Sequence, residues 1–326
     1  MTDFDPDAFR DFERAAHSRK AESYHGRFAA VTDRAIGPLL EAAKVRGGTR
    51  LLDVAAGPGH LAAAAAQHGA RVTGVDLAPA MVALASKLHP DVSFREASAD
   101  RLPFPDASFD AVTCAFGVGH FPDPVRVLAE FARVLAPGGI AALAWWDGFE
   151  RNRINGIFHE ALLRLKISAP GVVPAGPPID RYSDCERFAQ LLRDAGLNDV
   201  RVEQVSFEHS LRDADQFWDM AMGSFARASS VIGTQSEQTQ REIREAVSAA
   251  ASRYKSGSGL AVPVAFLVAA APDDYSAGCI PNARIRSLVR SSRSAKRKAC
   301  TATRCARLLT RMKSYSSGAS GRKPSP

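Results

Sequence analysis

The stretch Leu51–Ala62, LLDVAAGPGHLA, decides the fold. Its apolar start reads as a buried strand, Gly57-Pro58-Gly59 as a tight turn, and the following HLAAAAAQHG, closed by Gly69, as an alanine-rich helix. A glycine turn between strand and helix lets backbone approach a ligand closely, and Ala62 fills the third small position after Gly57 and Gly59. Taken alone, the turn fits a nicotinamide or flavin dinucleotide, another nucleotide-like ligand, or an ordinary connection that binds nothing.

The same alternation continues outward. ARVTGVDLAP and VSFREA read as strands around the helix AMVALASKLHP; FDAVTCAFG reads as a fourth strand and IAALAWW as a fifth. Between these two, DPVRVLAEFARVLAPGG is expected to be a helix ending at Gly138-Gly139. Strand and helix alternating at this spacing imply right-handed crossovers and an α/β, doubly wound parallel sheet. Residues 7–44 carry helical periodicity in at least two pieces, and INGIFHEALLRLK and CERFAQLLRDAGL read as later helices. A mostly helical insertion, about 213–256, separates the strand DVRVEQVSF from the last strand, LAVPVAFLVAAA. The expected organisation is a helical lid over 1–46, a ligand-binding domain over 47–274 and a basic tail over 275–326.

Two acids narrow the ligand. Asp53 ends the first strand just before the turn, where a dinucleotide would bring its pyrophosphate and a carboxylate would repel it. S-adenosylmethionine has no phosphate and brings an ammonium and a sulfonium, which an acid favours. Asp76, 19 residues after Gly57 at the end of the second strand, suits both hydroxyls of a ribose, or the cap of the next helix.

DVAAGPGHLA, VTGVDLAPAMVALA and ASADRLPFPDASFDAVTCAFGVGHFPDPVRVLAEFARVLAPGGIAAL together resemble the successive motifs of class I S-adenosylmethionine-dependent methyltransferases. The branch they resemble is methyltransferase type 11, which includes the ubiquinone and menaquinone biosynthesis methyltransferases. The close match runs over about residues 48–145, and LPFPDASFD followed by RVLAPGG is far more specific than the glycine turn. The resemblance implies a Rossmann-like seven-stranded sheet whose seventh strand is antiparallel and inserted beside the fifth. It places Asp53, Ala55, Gly57 and Gly59 around the methionine part of S-adenosylmethionine, Asp76 on the ribose and Leu77 against the adenine. Where the family usually has an Asp before Ala ahead of LPF, this chain has Ser98, then Ala99 and Asp100. A serine hydroxyl is a weaker, uncharged acceptor for the adenine amino group, so the Ala99 amide or Asp100 is expected to share the task.

Methyl transfer from a sulfonium is an in-line displacement with an activated leaving group, so alignment is the protein's main contribution. A general base is needed when the acceptor is a hydroxyl or an acidic carbon. His120, in CAFGVGHFPD, is the candidate by position and reference pKa, against the plainer reading of a ring packed beside Asp123. Phe116 and Gly117 are expected to shape the donor channel, and one of Trp145 and Trp146 to face the acceptor. Tyr24 and Phe28 are expected to fold over the site, and convergence of Phe9, Phe217, Trp218, Met220 and Met222 with them would make an apolar, aromatic acceptor pocket.

Composition limits the partners. The formal charge of +7 sits in the tail: from Tyr275 onward there are 13 Lys or Arg and no Asp or Glu, while residues 1–274 carry 29 bases against 35 acids. The tail reads as disordered, either an electrostatic arm or the out-of-frame translation of a GC-rich gene. Five cysteines without zinc-site spacing argue against a metal centre or disulfide framework. With no signal peptide and no spanning segment, a cytoplasmic location and a small-molecule acceptor are expected. An RNA-directed methyltransferase using the tail, or a non-catalytic S-adenosylmethionine-binding protein, are the rival readings; AFGVGHFPD lacks the Asn/Asp-Pro-Pro-aromatic motif of enzymes that methylate base nitrogens.

Overall fold

The computed structural model describes residues 4–169, 171 and 173–272, and the basic tail lies outside them. Three helices come first: α1 (Pro6–Arg27), α2 (Ala29–Thr32) and α3 (Ile36–Ala42). Asp5 starts α1 by accepting from the amides of Asp7 and Ala8, with Pro6 at the position where a missing N–H costs nothing. The alternating part follows as β1 (Arg50–Val54), α4 (His60–Gln67), β2 (Arg71–Asp76), α5 (Pro79–Leu88), β3 (Ser93–Glu96), β4 (Phe109–Ala115), α6 (Pro124–Val134) and β5 (Leu135–Trp146). The remainder is α7 (Arg153–Arg164), α8 (Cys185–Asp194), β6 (Arg201–Leu211), α9 (Ala214–Ser224), α10 (Ala226–Gly233), α11 (Glu237–Ala251), β7 (Lys255–Ser256) and β8 (Gly259–Pro272).

The strand order is β3-β2-β1-β4-β5-β8-β6, with the two-residue β7 paired to β8. Strands β1 to β5 run parallel to one another, whereas β8 is antiparallel to both β5 and β6. The seven-stranded α/β sheet with an inserted antiparallel strand is therefore the one expected, with β7 as an added hairpin edge. Leu51, Leu52, Asp53 and Val54 are all buried because β1 lies at the centre, covered on both faces. The order reverses between β1 and β4, and the crevice beyond their carboxyl ends is where such sheets bind ligands. Among the described residues no helix is long and apolar enough to cross a membrane.

One boundary differs from expectation. Helix α6 stops at Val134, not at Gly138-Gly139, because Leu135 turns extended and pairs with Phe109. The ladder then slips across Pro137 and Gly138, whose φ of 76° favours glycine, and resumes at Ile140.

The order LPFPDASFD then RVLAPGG also has a mechanical meaning. Arg133 of α6 donates to the carbonyls of Leu102 (3.0 Å) and Phe104 (2.8 Å) and to Asp106 (2.9 Å). Glu130 grips Arg133 and accepts from the Leu102 amide at 2.9 Å. The side chains of one helix thus hold the loop that leads into β4. Arg133→Ala is expected to lower unfolding stability by about 2–4 kcal/mol, because it orphans carbonyls and removes the cation that Glu130 pairs with, leaving that carboxylate only the Leu102 amide. Urea denaturation checks this; a loss within about 0.5 kcal/mol, the range of an ordinary surface substitution, would refute the clamp.

Candidate active site

The chain leaves β1 through a strained corner. Ala55 (φ 57°), Gly57 (φ 53°) and Gly59 (φ 82°) are all left-handed, and the Ala56 amide donates to the Val75 carbonyl of β2 at 3.0 Å. A side chain at Gly59 would put its Cβ 2.5 Å from the Phe94 ring, whereas one at Gly57 would meet no atom within 4 Å. Gly59 therefore serves the packing of α4 against β3. Gly57 faces open space.

That space is a cavity of about 1290 Å³, solvent at its mouth included, over the carboxyl ends of β1, β2 and β4. Of the residues singled out from sequence, Asp53, Ala55, Gly57, Asp76, Leu77, Ser98, Ala99, Asp100, Phe116 and His120 line it. Gly59 does not, for the packing reason just given.

The acids are held differently. Asp76 accepts from the Gly57 amide and the Ala78 amide, both at 2.8 Å, so one carboxylate braces the glycine turn and the start of α5. Burial raises its pKa, against those two bonds. Asp53 Oδ1 accepts from the Thr113 hydroxyl at 2.9 Å, while its buried Oδ2 makes no hydrogen bond of ordinary length and angle, the Ala62 amide acting on the carboxyl only weakly in favour of its ionised form. Burial pushes Asp53 up to about 7. A desolvated carboxylate on a residue that borders the cavity suits a cationic ligand group.

At the other end, the Ser98 hydroxyl donates to Asp100 at 2.6 Å. The serine thus spends its proton on aiming the neighbouring carboxylate, and Asp100 is the charged acceptor on that edge. Arg10 lies 3.6 Å from the other oxygen of Asp100. Arg14 donates to the Leu77 carbonyl at 3.3 Å and pairs with Glu96, pinning α1 across the cavity.

Helix α1 contributes more than the expected lid. Glu13 and His17, four residues apart, face His120 of the loop after β4, and all three line the cavity. Glu13 Oε2 lies 3.0 Å from His120 Nδ1. Asp123, the alternative partner for His120, instead caps α6 through the Arg126 amide. The signal missed in the sequence is the acid in an otherwise apolar stripe: Phe9, Glu13, Ala16 and Ala21 are the buried positions of α1. Tyr24 lines the cavity as a neutral phenol, its pKa pushed up to about 12 by burial, and Asp33 stands beside it, raised to about 6 by burial.

The aromatic expectations need correction. Of the seven residues expected to converge on an acceptor pocket, Tyr24 alone lines the cavity. Phe28, Phe217 and Met220 are buried in the main core, where Phe28 packs on Phe225 and Phe217 on Phe158. Neither tryptophan lines the cavity: Trp145 donates to the Ile179 carbonyl at 3.1 Å and Trp146 stacks on Phe116 with centroids 4.0 Å apart. The aromatic surface closes the floor from behind.

Known proteins share this architecture. A methyltransferase-domain family matches residues 52–143. The demethylmenaquinone methyltransferase of Chlorobaculum parvum is 34% identical over 179 residues, which span 50% of this chain and 71% of that protein. The corresponding protein of Thermus thermophilus is 49% identical over 96 residues, 28% of this chain and 44% of its own. Among solved structures, the methyltransferase in complex with the Haloferax volcanii Trm112 methyltransferase activator superposes with a TM-score of 0.52 at 22% identity, covering 83% of this chain and 99% of that one.

Proposed function

The chain belongs to the class I S-adenosylmethionine-dependent methyltransferases of the type 11 family and is an enzyme that uses S-adenosylmethionine, and from that premise we propose that it methylates a small, apolar or aromatic molecule. The observation that carries the reading is the cavity itself, bordered at one end by Asp53, with its desolvated carboxylate, and by the braced Asp76. Asp53 and the Gly57 turn would hold the ammonium of the donor, Asp76 its ribose, Leu77 one face of the adenine, and Ser98, Ala99 and Asp100 the edge with the amino group. When bound, the donor supplies an electrophilic methyl group on a sulfonium.

The chain's own residues do the rest. Phe116, with φ of 58°, is locked by its stack on Trp146, which fixes the floor of the cavity. Leu61, Met81, Phe121, Ile36 and Val127 give the lining an apolar character that favours a carbon-rich acceptor and keeps water out. Menaquinone-type acceptors, which the names of the bacterial relatives indicate for those proteins, have this chemistry. A cytoplasmic site of action agrees with it.

Calorimetry with S-adenosylhomocysteine tests the donor half and is expected to show one site per chain. Production of S-adenosylhomocysteine with 1,4-naphthohydroquinone, 1-naphthol and a polar amine such as ethanolamine tests the acceptor half. Preference for the amine would overturn the apolar reading.

A further inference from the structure

Glu13 is 4% exposed, and its ion-pair partners among the described residues are two imidazoles. A carboxylate taken out of water costs several kcal/mol unless it is paired, and an apolar residue on this face of α1 would serve packing better. We propose that Glu13 is a positioning residue that makes His120 the general base for an aromatic hydroxyl acceptor, an inference that rests on the methyl-transfer reading above.

The proton positions follow from the partners. An ionised carboxylate only accepts, so the hydrogen in the 3.0 Å contact sits on His120 Nδ1 and leaves the lone pair on Nε2. His17 Nδ1 contacts the Glu13 backbone carbonyl at 2.9 Å, another pure acceptor, and so carries a hydrogen too. Two rings wall the imidazole: His17 meets it edge-on with centroids 4.8 Å apart, and Trp145 at 5.9 Å. Gly119 permits the second contact, since a Cβ there would lie 2.2 Å from the Trp145 ring.

The charged groups around His120 are Glu13 and His17 of α1 and Asp76 of β2, with Arg227 of α10 acting on Glu13. Burial opposes charge on His120, but the Glu13 carboxylate outweighs it and holds the imidazole above the ordinary histidine value. A carboxylate on Nδ1 strengthens the imidazole as a proton acceptor at Nε2. In the reaction the acceptor O–H bond breaks and its proton passes to His120 Nε2. The oxygen electron pair forms the bond to the methyl carbon, the pair of the breaking carbon–sulfur bond stays on sulfur, and the imidazolium later returns the proton to water.

Three potential ligand atoms within 4.8 Å also describe a cation site. Hydrogens on both Nδ1 atoms, aimed at oxygen, favour the hydrogen-bonded base.

The test uses the full chain with Glu13→Gln and His120→Gln, each of which keeps a polar group for its neighbour and so protects folding. With 1-naphthol, His120→Gln is expected to lower kcat about 100-fold or more, and Glu13→Gln about tenfold with the acid limb of the pH profile moved to lower pH. With 4-nitrophenol, already ionised at mildly alkaline pH, both losses should shrink markedly. Nitrogen-15 histidine spectra, which need no turnover, should show the His120 pKa falling in Glu13→Gln. Equal losses for the two phenols would overturn the proposal. So would stoichiometric binding of zinc, or no turnover of 1-naphthol while S-adenosylhomocysteine still binds. Failure of S-adenosylhomocysteine to bind the wild-type chain would instead strike the methyl-transfer reading beneath it.

Discussion

Asp76→Ala is expected to weaken S-adenosylhomocysteine binding about 100-fold or more. Two losses combine. The carboxylate that would accept the ribose hydroxyls is gone, and charge-assisted bonds of that kind contribute about 1.5–3 kcal/mol each. The Gly57 and Ala78 amides, each held at 2.8 Å, also lose their acceptor, so the glycine turn and the first turn of α5 loosen where the donor must lie. The fold itself should suffer less, because burial penalises the charge on Asp76 and removing it relieves that penalty. Asp76→Asn should fall between, since one oxygen remains while its NH2 must face an amide donor. Calorimetry gives the affinity, and thermal unfolding of the ligand-free variants separates turn damage from general instability. Wild-type affinity in Asp76→Ala would remove Asp76 from the site.

Much of this architecture was legible because the relevant signals are local. The burial of β1, the left-handed glycines and the period of α4 all lie within LLDVAAGPGHLA and the ten residues after it, and short-range sterics decide them. Asp53 and Asp76 were legible for a related reason: Asp76 ends β2 and Asp53 stands one residue before the end of β1, and the carboxyl ends of parallel strands border the crevice where ligands bind. The end of α6 was not legible, because the pairing of Leu135 with Phe109 overrode a helical pattern that ran on to two glycines. Glu13 was hidden more deeply. Its partner is 107 residues away, and only the docking of α1 across the crevice gives that acid a reason to be buried. The aromatic pocket failed from the opposite cause, since large apolar side chains on α1 and α9 can always satisfy burial in the core and need no ligand to do so.

The methionine end of the site should reveal itself through protons. With a pKa of about 7, against 3.8 for the unperturbed group, Asp53 holds a proton in the ligand-free protein over most of the range between these values. The folded state then binds more protons than the unfolded one, so this contribution to stability is complete below about pH 4 and is lost as pH rises through about 7. A donor ammonium reverses the preference, because it pairs with the ionised oxygen that otherwise makes no hydrogen bond of ordinary length and angle. Binding of S-adenosylhomocysteine below pH 7 must therefore expel the Asp53 proton, and affinity is expected to fall by up to about tenfold for each pH unit below that point. Asp53→Asn should bind about 10- to 100-fold more weakly at pH 8, as the loss of one charged partner implies, and should lose most of the acid-side slope. Calorimetry at pH 6 in buffers of different ionisation enthalpy measures the released proton directly. Release close to one in the wild type and close to zero in Asp53→Asn is the expected pair of values; the same release from both would mean that the titrating group is another of the acids at the cavity, with Asp76 and its two amide bonds the next to test.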